Sequence, residues 1–221
     1  MALGIAASVF GAFYYLNHNL PSVEEMREIP LQIPLRVYSR DGRLLDQIGE
    51  KRRSPIDYDE IPYIVRDAFL AAEDDRFFDH PGFDYQGIMR AALNMLKTGT
   101  RAQGGSTITQ QLAREYFLTR DRTFARKAKE LILATQIENE FSKEEILELY
   151  LNKIFLGQRA YGVVAAASVY FGKTLDELTV AEAATLAGLP AAPSRLNPVS
   201  SAQLATERRA YVLRRMHELA F

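Results

Sequence analysis

The chain has 221 residues, of which 48% are hydrophobic and 25% are charged, and its formal net charge is -1. This balance is typical of a globular protein, and the length suffices for one well-buried domain with a small appendage. A net charge so close to zero gives no reason to expect nucleic acid as a partner, so any anionic ligand must be met by a local cluster of cations. The chain contains no cysteine, which excludes disulfides and cysteine-ligated metal sites.

The amino-terminal segment, residues 1–16, is apolar and carries no charge. It is slightly shorter than the roughly 20 residues that cross a bilayer core, and it lacks the basic region and cleavage site of a signal peptide. We interpret residues 1–19 as a transmembrane anchor, with Tyr14 and Tyr15 at the interface. The alternative is a buried helix of the globular core, which the polar, proline-containing stretch over 17–34 disfavours.

A small β-hairpin is predicted after this linker. Strand-forming residues at 35–40 and 43–48 flank Asp41-Gly42, a dipeptide that favours a two-residue type I′ turn. Everything from Ile61 onward has a helical pattern.

An acidic and aromatic cluster surrounds Glu73. Phe69, Glu73 and Phe77 follow one another at i, i+4 spacing on a predicted helix that ends at His80-Pro81. A carboxylate between two phenylalanines loses hydration, which raises its pKa unless a cation favours the charged form. Such tuning is typical of a proton-transfer catalyst, and the turn at Pro81 is expected to bring His80 back near Glu73. The alternative is a structural ion pair with a helix-capping histidine.

Residues 85–114 contain no acidic residue, and this favours either an interfacial segment on anionic lipid or an amphipathic helix of the core. The cations of the segment are interleaved with apolar side chains: Arg90, Lys97, Arg101 and Arg114. Within it, Ser106 or Thr107 is placed to cap a helix that runs to about Phe117. Such a helix start offers free N–H groups to an anion, although a plain cap is the commoner use.

The next helix is predicted from Thr123 to about Glu140. Arg126, Lys127 and Glu130 share one arc of it, either as an ion pair on a solvated face or as the wall of a cleft.

Capping boxes predict two further helix starts, at Ser142 with Glu145 and at Thr179 with Glu182, and a last helix covers 201–219. One stripe of the helix at 143–152 is interpreted as core packing: Ile146, Leu149, Tyr150 and Lys153.

Five segments, in order, resemble the motifs of the family 51 peptidoglycan glycosyltransferases, the domain of class A penicillin-binding proteins and of monofunctional transglycosylases. In the first motif the matching residues are Glu73, Asp74, Phe77, His80 and Gly82. The other four matching segments are GSTITQQ at 105–111, RKAKE at 126–130, KEEILELYLN at 143–152 and, more loosely, RRAYVLRRM at 208–216. A single match would be weak, but five in the same order are specific.

The resemblance implies a mainly α-helical, lysozyme-like domain with a head lobe and a membrane-associated jaw lobe, in addition to the N-terminal transmembrane helix and the small β-hairpin. The chain then divides into an anchor at 1–19, a linker with the hairpin at 20–55 and a glycosyltransferase domain at 56–221. In the family the jaw lobe lies on the membrane, which favours lipid contact for 85–114. The implied location is the bacterial inner membrane, single-pass, with the catalytic domain on the periplasmic side.

The implied substrates are lipid II and the growing glycan strand. Glu73 and Glu130 are the predicted catalytic residues: Glu73 as the general base for the acceptor sugar hydroxyl, and Glu130 as the group that orients the cations or the substrate. The predicted substrate-binding residues are Asp74, His80, Ser106, Thr107, Gln110, Gln111, Arg114, Arg126 and Lys127. Arg114, Arg126 and Lys127 are suited to a diphosphate leaving group, and Arg114 stands where relatives often carry lysine.

No cofactor is required by the sequence and no metal-ligating residues are assigned, although a divalent cation, Mg or Mn, could assist the diphosphate. Expected partners are membrane lipid, a C-terminal transpeptidase domain and cell-wall synthesis proteins, but no nucleic acid. Two alternatives stay open. One is a lysozyme-like hydrolase or lytic transglycosylase with Glu73 as general acid, which the cations and the anchor disfavour. The other is a non-catalytic membrane-anchored scaffold, which the intact Glu73, Lys127 and Glu130 disfavour.

Overall fold

A computed structural model of the chain describes most of the residues from Leu20 onward. The described residues are 20–28, 35–42, 44–48, 54–87, 89, 105–118 and 123–221. The predicted anchor at 1–19 lies outside them, as does most of the basic segment at 85–104. Among the described helices, none combines the length and the apolar character needed to cross a bilayer.

The amino-terminal part of the described chain contains one short helix and one two-stranded antiparallel sheet. These elements are α1 (Glu25–Glu28), β1 (Leu35–Tyr38) and β2 (Leu44–Ile48). Leu35 pairs with Ile48 at the open end of the sheet, and the strands lie within the two segments whose composition predicts them.

The turn between the strands differs from the predicted one. The Gly42 N–H donates to the Ser39 carbonyl at 3.0 Å. Of the described turn residues only Gly42 has a positive φ, +80°. A type I′ turn needs positive φ at both central residues, Asp41 included. The prediction of that turn type is therefore wrong.

The rest of the described chain is mainly α-helical. Its helices are α2 (Tyr63–Glu73), α3 (Ile108–Phe117), α4 (Phe124–Glu140), α5 (Lys143–Lys153), α6 (Val163–Phe171), α7 (Val180–Gly188) and α8 (Ala202–Glu218), with 3-10 turns at Tyr58–Glu60 and Leu189–Ala191. Side-chain caps explain most of the helix starts, because Ser or Thr at the N-cap accepts an orphan backbone N–H. Such caps precede α3, α4, α5, α7 and α8, and the capping boxes of α5 and α7 are confirmed.

Helix α6 lies in the region of predicted helical pattern, but its bounds were not predicted. It has no side-chain cap, and its sequence VVAAASVYF is apolar on nearly every face, so no amphipathic period marks it. Glycines with positive φ set its limits: Gly162 at +82° before it and Gly172 at +65° after it.

The helices pack in two groups that meet along one seam. Helix α2 packs against α7 and α8, whereas α3 packs against α4 and α5. Across the seam, the ring of Phe69 on α2 meets the ring of Tyr150 on α5 edge to face, with centroids 6.4 Å apart. Both side chains are fully buried, so the seam belongs to the continuous hydrophobic core.

Part of the segment that was expected to contact lipid belongs to this core. Residues 108–113 of α3 are all buried, and Ile108, Leu112 and Ala113 have no exposed surface. For this part of 85–114 the membrane-contact prediction is wrong, because α3 lies between α4 and α5 rather than at a surface.

Candidate active site

Helix α2 ends at Glu73, earlier than predicted. Asp74 leaves the helical region with φ -162° and ψ 79°. Its carboxylate accepts the Ile108 N–H at 2.9 Å and approaches His80 Nε2 at 2.9 and 3.0 Å. These long-range bonds replace the next helical turn, so the predicted helical line through Phe77 is wrong. Glu73 therefore sits at a helix end, beside the first turn of α3.

The Glu73 carboxylate lies at the seam between the two helix groups, with 12% of its side chain exposed. Gln111 Nε2 donates to Oε2 at 2.8 Å, and Arg208 Nη2 lies 3.7 Å from Oε1. Burial raises the pKa of Glu73 above its ordinary value of 4.5, against the lowering effects of the Gln111 bond, Arg208 and Arg114, and the Asp74 charge raises it further. The result is a carboxylate with increased proton affinity.

Asp74 and His80, two predicted substrate-binding residues, are buried in the core, 7% and 3% exposed. The turn brings His80 to Asp74, the neighbour of Glu73. The His80 carbonyl also accepts from Lys143 Nζ at 2.6 Å. The contacts of this pair connect the end of α2 to α3 and α5, and neither side chain lines the cleft described below.

The start of α3 is locked to the turn after His80. The Thr107 hydroxyl donates to the Gly82 carbonyl at 2.7 Å and accepts the Gln110 N–H at 3.2 Å. Gln110 Nε2 donates to the same carbonyl at 3.3 Å. Gly82 has a φ of +88°, and a Cβ there would lie 2.9 Å from the Ala134 carbonyl oxygen of α4. Only glycine fits this close approach between the turn and α4.

Lys127 of α4 joins α3 and α4. Its Nζ donates to Ser106 Oγ and to Gln110 Oε1, both at 2.8 Å. Burial, followed by the charges of Arg114 and Arg126, lowers the pKa of Lys127 to about 8. The lysine is therefore a cation whose charge is sensitive to mildly alkaline pH.

Glu130 contacts two cations of α4, Arg126 and Lys127. Its side chain is 1% exposed, Lys127 Nζ lies 3.0 Å from Oε2, and Arg126 Nη1 hydrogen-bonds Oε1. Both oxygens therefore contact cations, a geometry that supports the predicted orienting role.

A cleft of about 840 Å³ opens between these elements. Five predicted site residues line it: Glu73, Ser106, Gln111, Arg114 and Arg126. The other predicted site residues lie next to this set, outside the lining: Asp74, His80, Thr107, Gln110, Lys127 and Glu130. The lining also includes Phe155 and Tyr161, whose ring centroids are 4.9 Å apart.

Two residues in contact with the site, Arg208 and Tyr150, were not among the predicted site residues. Arg208 lines the cleft, and Gly188 and Tyr211 orient it: Nε donates to the Gly188 carbonyl at 3.3 Å and the guanidinium lies 4.5 Å from the Tyr211 ring centroid. Tyr150, interpreted as core packing, donates its hydroxyl to Gln111 Oε1 at 3.3 Å. Arg208 belongs to the fifth motif, a signal that could have identified it; for Tyr150 only a three-dimensional contact could.

The arrangement combines a carboxylate of raised proton affinity with several cations around one cleft. A carboxylate of this kind can exchange a proton with a hydroxyl, and cations stabilise the charge that grows on a phosphate leaving group. Fold and site together are suited to a helical enzyme domain that exchanges a proton and stabilises developing negative charge.

The sequence comparison defines the family. The family model described as Transglycosylase matches residues 41–217. The chain therefore belongs to the transglycosylase family, and the resemblance drawn from the five motifs is confirmed.

The chain is similar to proteins named penicillin-binding protein 1A. The chain is 53% identical over 218 residues to penicillin-binding protein 1A of Pseudomonas aeruginosa, covering 99% of the chain and 26% of that protein. It is 54% identical over 211 residues to penicillin-binding protein 1A of Escherichia coli, covering 96% and 25%. A crystal structure of penicillin-binding protein 1A from Haemophilus influenzae matches 87% of this chain and 19% of its own, with 34% identity and a TM-score of 0.47. The chain spans about a quarter of the length of the curated relatives.

Proposed function

We propose that this chain polymerises lipid II into peptidoglycan glycan strands. The observation that carries the proposal is the position of Glu73: a largely buried carboxylate of raised pKa opens onto the same cleft as Arg114, Arg126 and Arg208. Family membership supports glycosyl transfer in cell-wall synthesis, and the proposal adds the substrate and the roles of the residues.

Glu73 acts as the general base. Its carboxylate takes the proton from the acceptor sugar hydroxyl, whose oxygen attacks the anomeric carbon of the growing strand. A new glycosidic bond forms with inversion, and the bond from the anomeric carbon to the diphosphate oxygen breaks. The electron pair of that bond leaves with the polyprenyl diphosphate.

The cations stabilise the leaving diphosphate. Arg114 and Arg126 line the cleft beside Ser106, and Lys127 reaches Ser106 Oγ. Positive charge fixed in advance lowers the barrier without reorganisation during the reaction. Glu130 keeps Arg126 and Lys127 oriented and takes no proton itself.

The aromatic side chains in the cleft lining, Phe155 and Tyr161, are suited to contact with sugar rings of the strand. Phe155 and Tyr161 lie on either side of a tight turn in which Gly157, Gln158 and Arg159 all have positive φ. Ligand pockets are commonly lined by apolar and aromatic side chains with few polar groups. We assign these two rings to contact with the glycan rather than with the diphosphate.

The relatives are named penicillin-binding protein 1A. We propose that the full-length protein likewise carries a penicillin-reactive transpeptidase domain and is anchored in the inner membrane with this domain on the periplasmic side. Membrane lipid and other cell-wall synthesis proteins are its proposed partners.

The test is polymerisation of fluorescent lipid II in detergent, followed as long glycan chains on a gel. Wild type is compared with Glu73→Gln, which keeps shape but cannot accept the proton, and with Glu177→Gln at an exposed site as a control. We expect polymer from wild type and control only. Polymer from Glu73→Gln at the wild-type rate would remove Glu73 from the mechanism.

A carboxyl of raised pKa also suits a general acid, so lytic cleavage is the second candidate. Soluble, lipid-free glycan distinguishes the two activities. Cleavage of that glycan without polymer formation from lipid II would replace the transferase proposal with the lytic one.

A further inference from the structure

Tyr150 is connected to Glu73 through one side chain. Its hydroxyl, on α5, donates to Gln111 Oε1 at 3.3 Å, and Gln111 Nε2, on α3, donates to Glu73 Oε2 at 2.8 Å. Tyr150 is 1% exposed and Gln111 is 6% exposed. Three elements thus meet in one chain of hydrogen bonds, and only its last member, Glu73, is the proposed base.

The hydroxyl of Tyr150 determines which way the Gln111 amide points. Burial and then the charge of Glu73 raise the pKa of Tyr150 well above its ordinary value of 10.0, so the hydroxyl keeps its proton. A protonated hydroxyl pairs with the amide oxygen, which leaves the NH2 group facing Glu73. In the reversed orientation the amide oxygen would face the carboxylate, an arrangement that favours the protonated, inactive form of a base.

We propose that Tyr150 is a positioning residue for glycosyl transfer, holding the Gln111 amide so that it donates to Glu73 and keeps this base ionised. The inference rests on the proposed function, since the orientation matters to catalysis only if Glu73 is the base. Tyr150 itself need not touch the substrate, because Gln111 and Glu73 line the cleft and Tyr150 lies behind them.

Charged and titratable groups from several elements act on the same carboxylate and must stay unchanged in a test. They are Arg114 on α3, Arg208 on α8 and Asp74 after α2. Removing only the hydroxyl by Tyr150→Phe preserves the ring and its edge-to-face contact with Phe69. The matched control is Tyr170→Phe, which removes a hydroxyl that donates to the Leu156 carbonyl at 2.8 Å and belongs to none of the hydrogen bonds between Tyr150, Gln111 and Glu73.

The experiment measures initial rates of lipid II polymerisation against pH for wild type and both variants. Losing one oriented hydrogen bond to a carboxylate shifts its pKa by roughly half a unit to one unit. In Tyr150→Phe we therefore expect the acidic limb of the pH–rate profile to move to higher pH by about half a unit to one unit. The rate below this limb falls about three- to tenfold, KM changes little, and the rate recovers above the limb. Tyr170→Phe keeps the wild-type limb.

A uniform loss of rate at every pH in Tyr150→Phe, or an unmoved acidic limb, would overturn the inference. If Tyr150→Phe shows no cooperative unfolding transition and is therefore not properly folded, Gln111→Leu tests the same contact from the other side. We expect Gln111→Leu to move the acidic limb of the pH–rate profile to higher pH at least as far. An unmoved limb in Gln111→Leu overturns the inference as well.

A second readout separates this inference from the proposed function. Infrared difference spectra with labelled glutamate follow the titration of the Glu73 carboxyl without turnover, with Glu73→Gln identifying the band. If Glu73→Gln still polymerises lipid II, the proposed function fails regardless of Tyr150. If Glu73→Gln is inactive but the carboxyl titrates at the same pH in wild type and Tyr150→Phe, only the positioning inference fails.

Discussion

Glu73 and Glu130 are both largely buried carboxylates next to the cleft, but they differ in their partners. Glu130 contacts cations through both of its oxygens, Arg126 through one and Lys127 through the other. Glu73 accepts from the neutral amide of Gln111, and the nearest described cation contact is 3.7 Å away. Similar burial therefore produces different chemistry.

The difference shows how partners assign roles to two identical functional groups. A buried carboxylate paired with cations is most useful as an anion, because losing its charge leaves those cations uncompensated. A buried carboxylate held mainly by an amide gains proton affinity. The first kind orients charges, and the second kind transfers protons.

The strongest test of this comparison pairs Glu73→Gln with Glu130→Gln. We expect the Glu73 variant to lose about 10²- to 10⁴-fold in turnover, the usual range for a general base, and to unfold at the wild-type temperature or higher. We expect Glu130→Gln to lose activity together with about 2 kcal/mol of unfolding free energy, since it leaves Arg126 and Lys127 without their counter-ion. Thermal unfolding and lipid II polymerisation measure both effects.

The raised pKa of Glu73 determines the direction in which folding stability changes with pH. Its raised pKa means that the folded state binds the proton more tightly than the unfolded state, so wild-type stability falls as pH rises from 4.5 through the folded pKa. The stability of Glu73→Gln relative to wild type should therefore increase over this window and then level off. A Glu73 variant as destabilised as Glu130→Gln would instead make Glu73 a structural partner of Arg208, and the contrast would break down.

Sequence patterns identified the elements that depend on local chemistry. The capping boxes at Ser142 and Thr179 are present as predicted, because a cap requires only neighbours three residues apart. The motifs likewise identified the carboxylates and cations that the fold brings around one cleft. Such patterns depend on near neighbours in the sequence or on residue type, so they can be recognised from the sequence alone.

Features that depend on distant contacts were missed or wrong. Helix α2 stops at Glu73 because Asp74 bonds to Ile108, 34 residues further along the chain. Tyr150 resembles any aromatic on a core stripe until its hydroxyl is seen 3.3 Å from Gln111. Tertiary partners override local propensity at such positions, and here they surround the candidate base.

The turn at Gly82 packs against α4, the helix that carries Glu130. A substitution at Gly82 therefore tests whether the position of α4 matters for stability and activity. A Cβ at this position would lie 2.9 Å from the Ala134 carbonyl oxygen and 3.1 Å from Glu138 Cγ, at a φ of +88°. We expect Gly82→Ala to cost about 3 kcal/mol of unfolding free energy, from strain and overlap together, and to lower activity by displacing α4. Chemical denaturation and polymerisation assays provide the measurements.

Gly172→Ala is the matched control for Gly82→Ala. Gly172 also has a positive φ, +65°, but a Cβ there meets nothing within 4 Å. Backbone strain alone should cost about 1 kcal/mol, with activity retained. Equal losses in both variants would show that φ, and not the contact with α4, explains the need for glycine at position 82.

The smallest expected effect concerns Lys127, one of the two cations that contact Glu130. Because the pKa of Lys127 is lowered to about 8, wild-type activity should fall as pH rises through that value and Lys127 loses its charge. Lys127→Arg should move this alkaline limb well upward, while the rate near neutral pH drops about tenfold because a planar fork cannot reproduce the bonds of a point charge to Ser106 and Gln110. Lys173→Arg, a change in an ion pair with Glu182 outside the cleft, should leave the limb unmoved. If the alkaline limb stays near pH 8 in Lys127→Arg, another group is responsible for that titration. Arg126 alone would then be the functional cation that Glu130 orients.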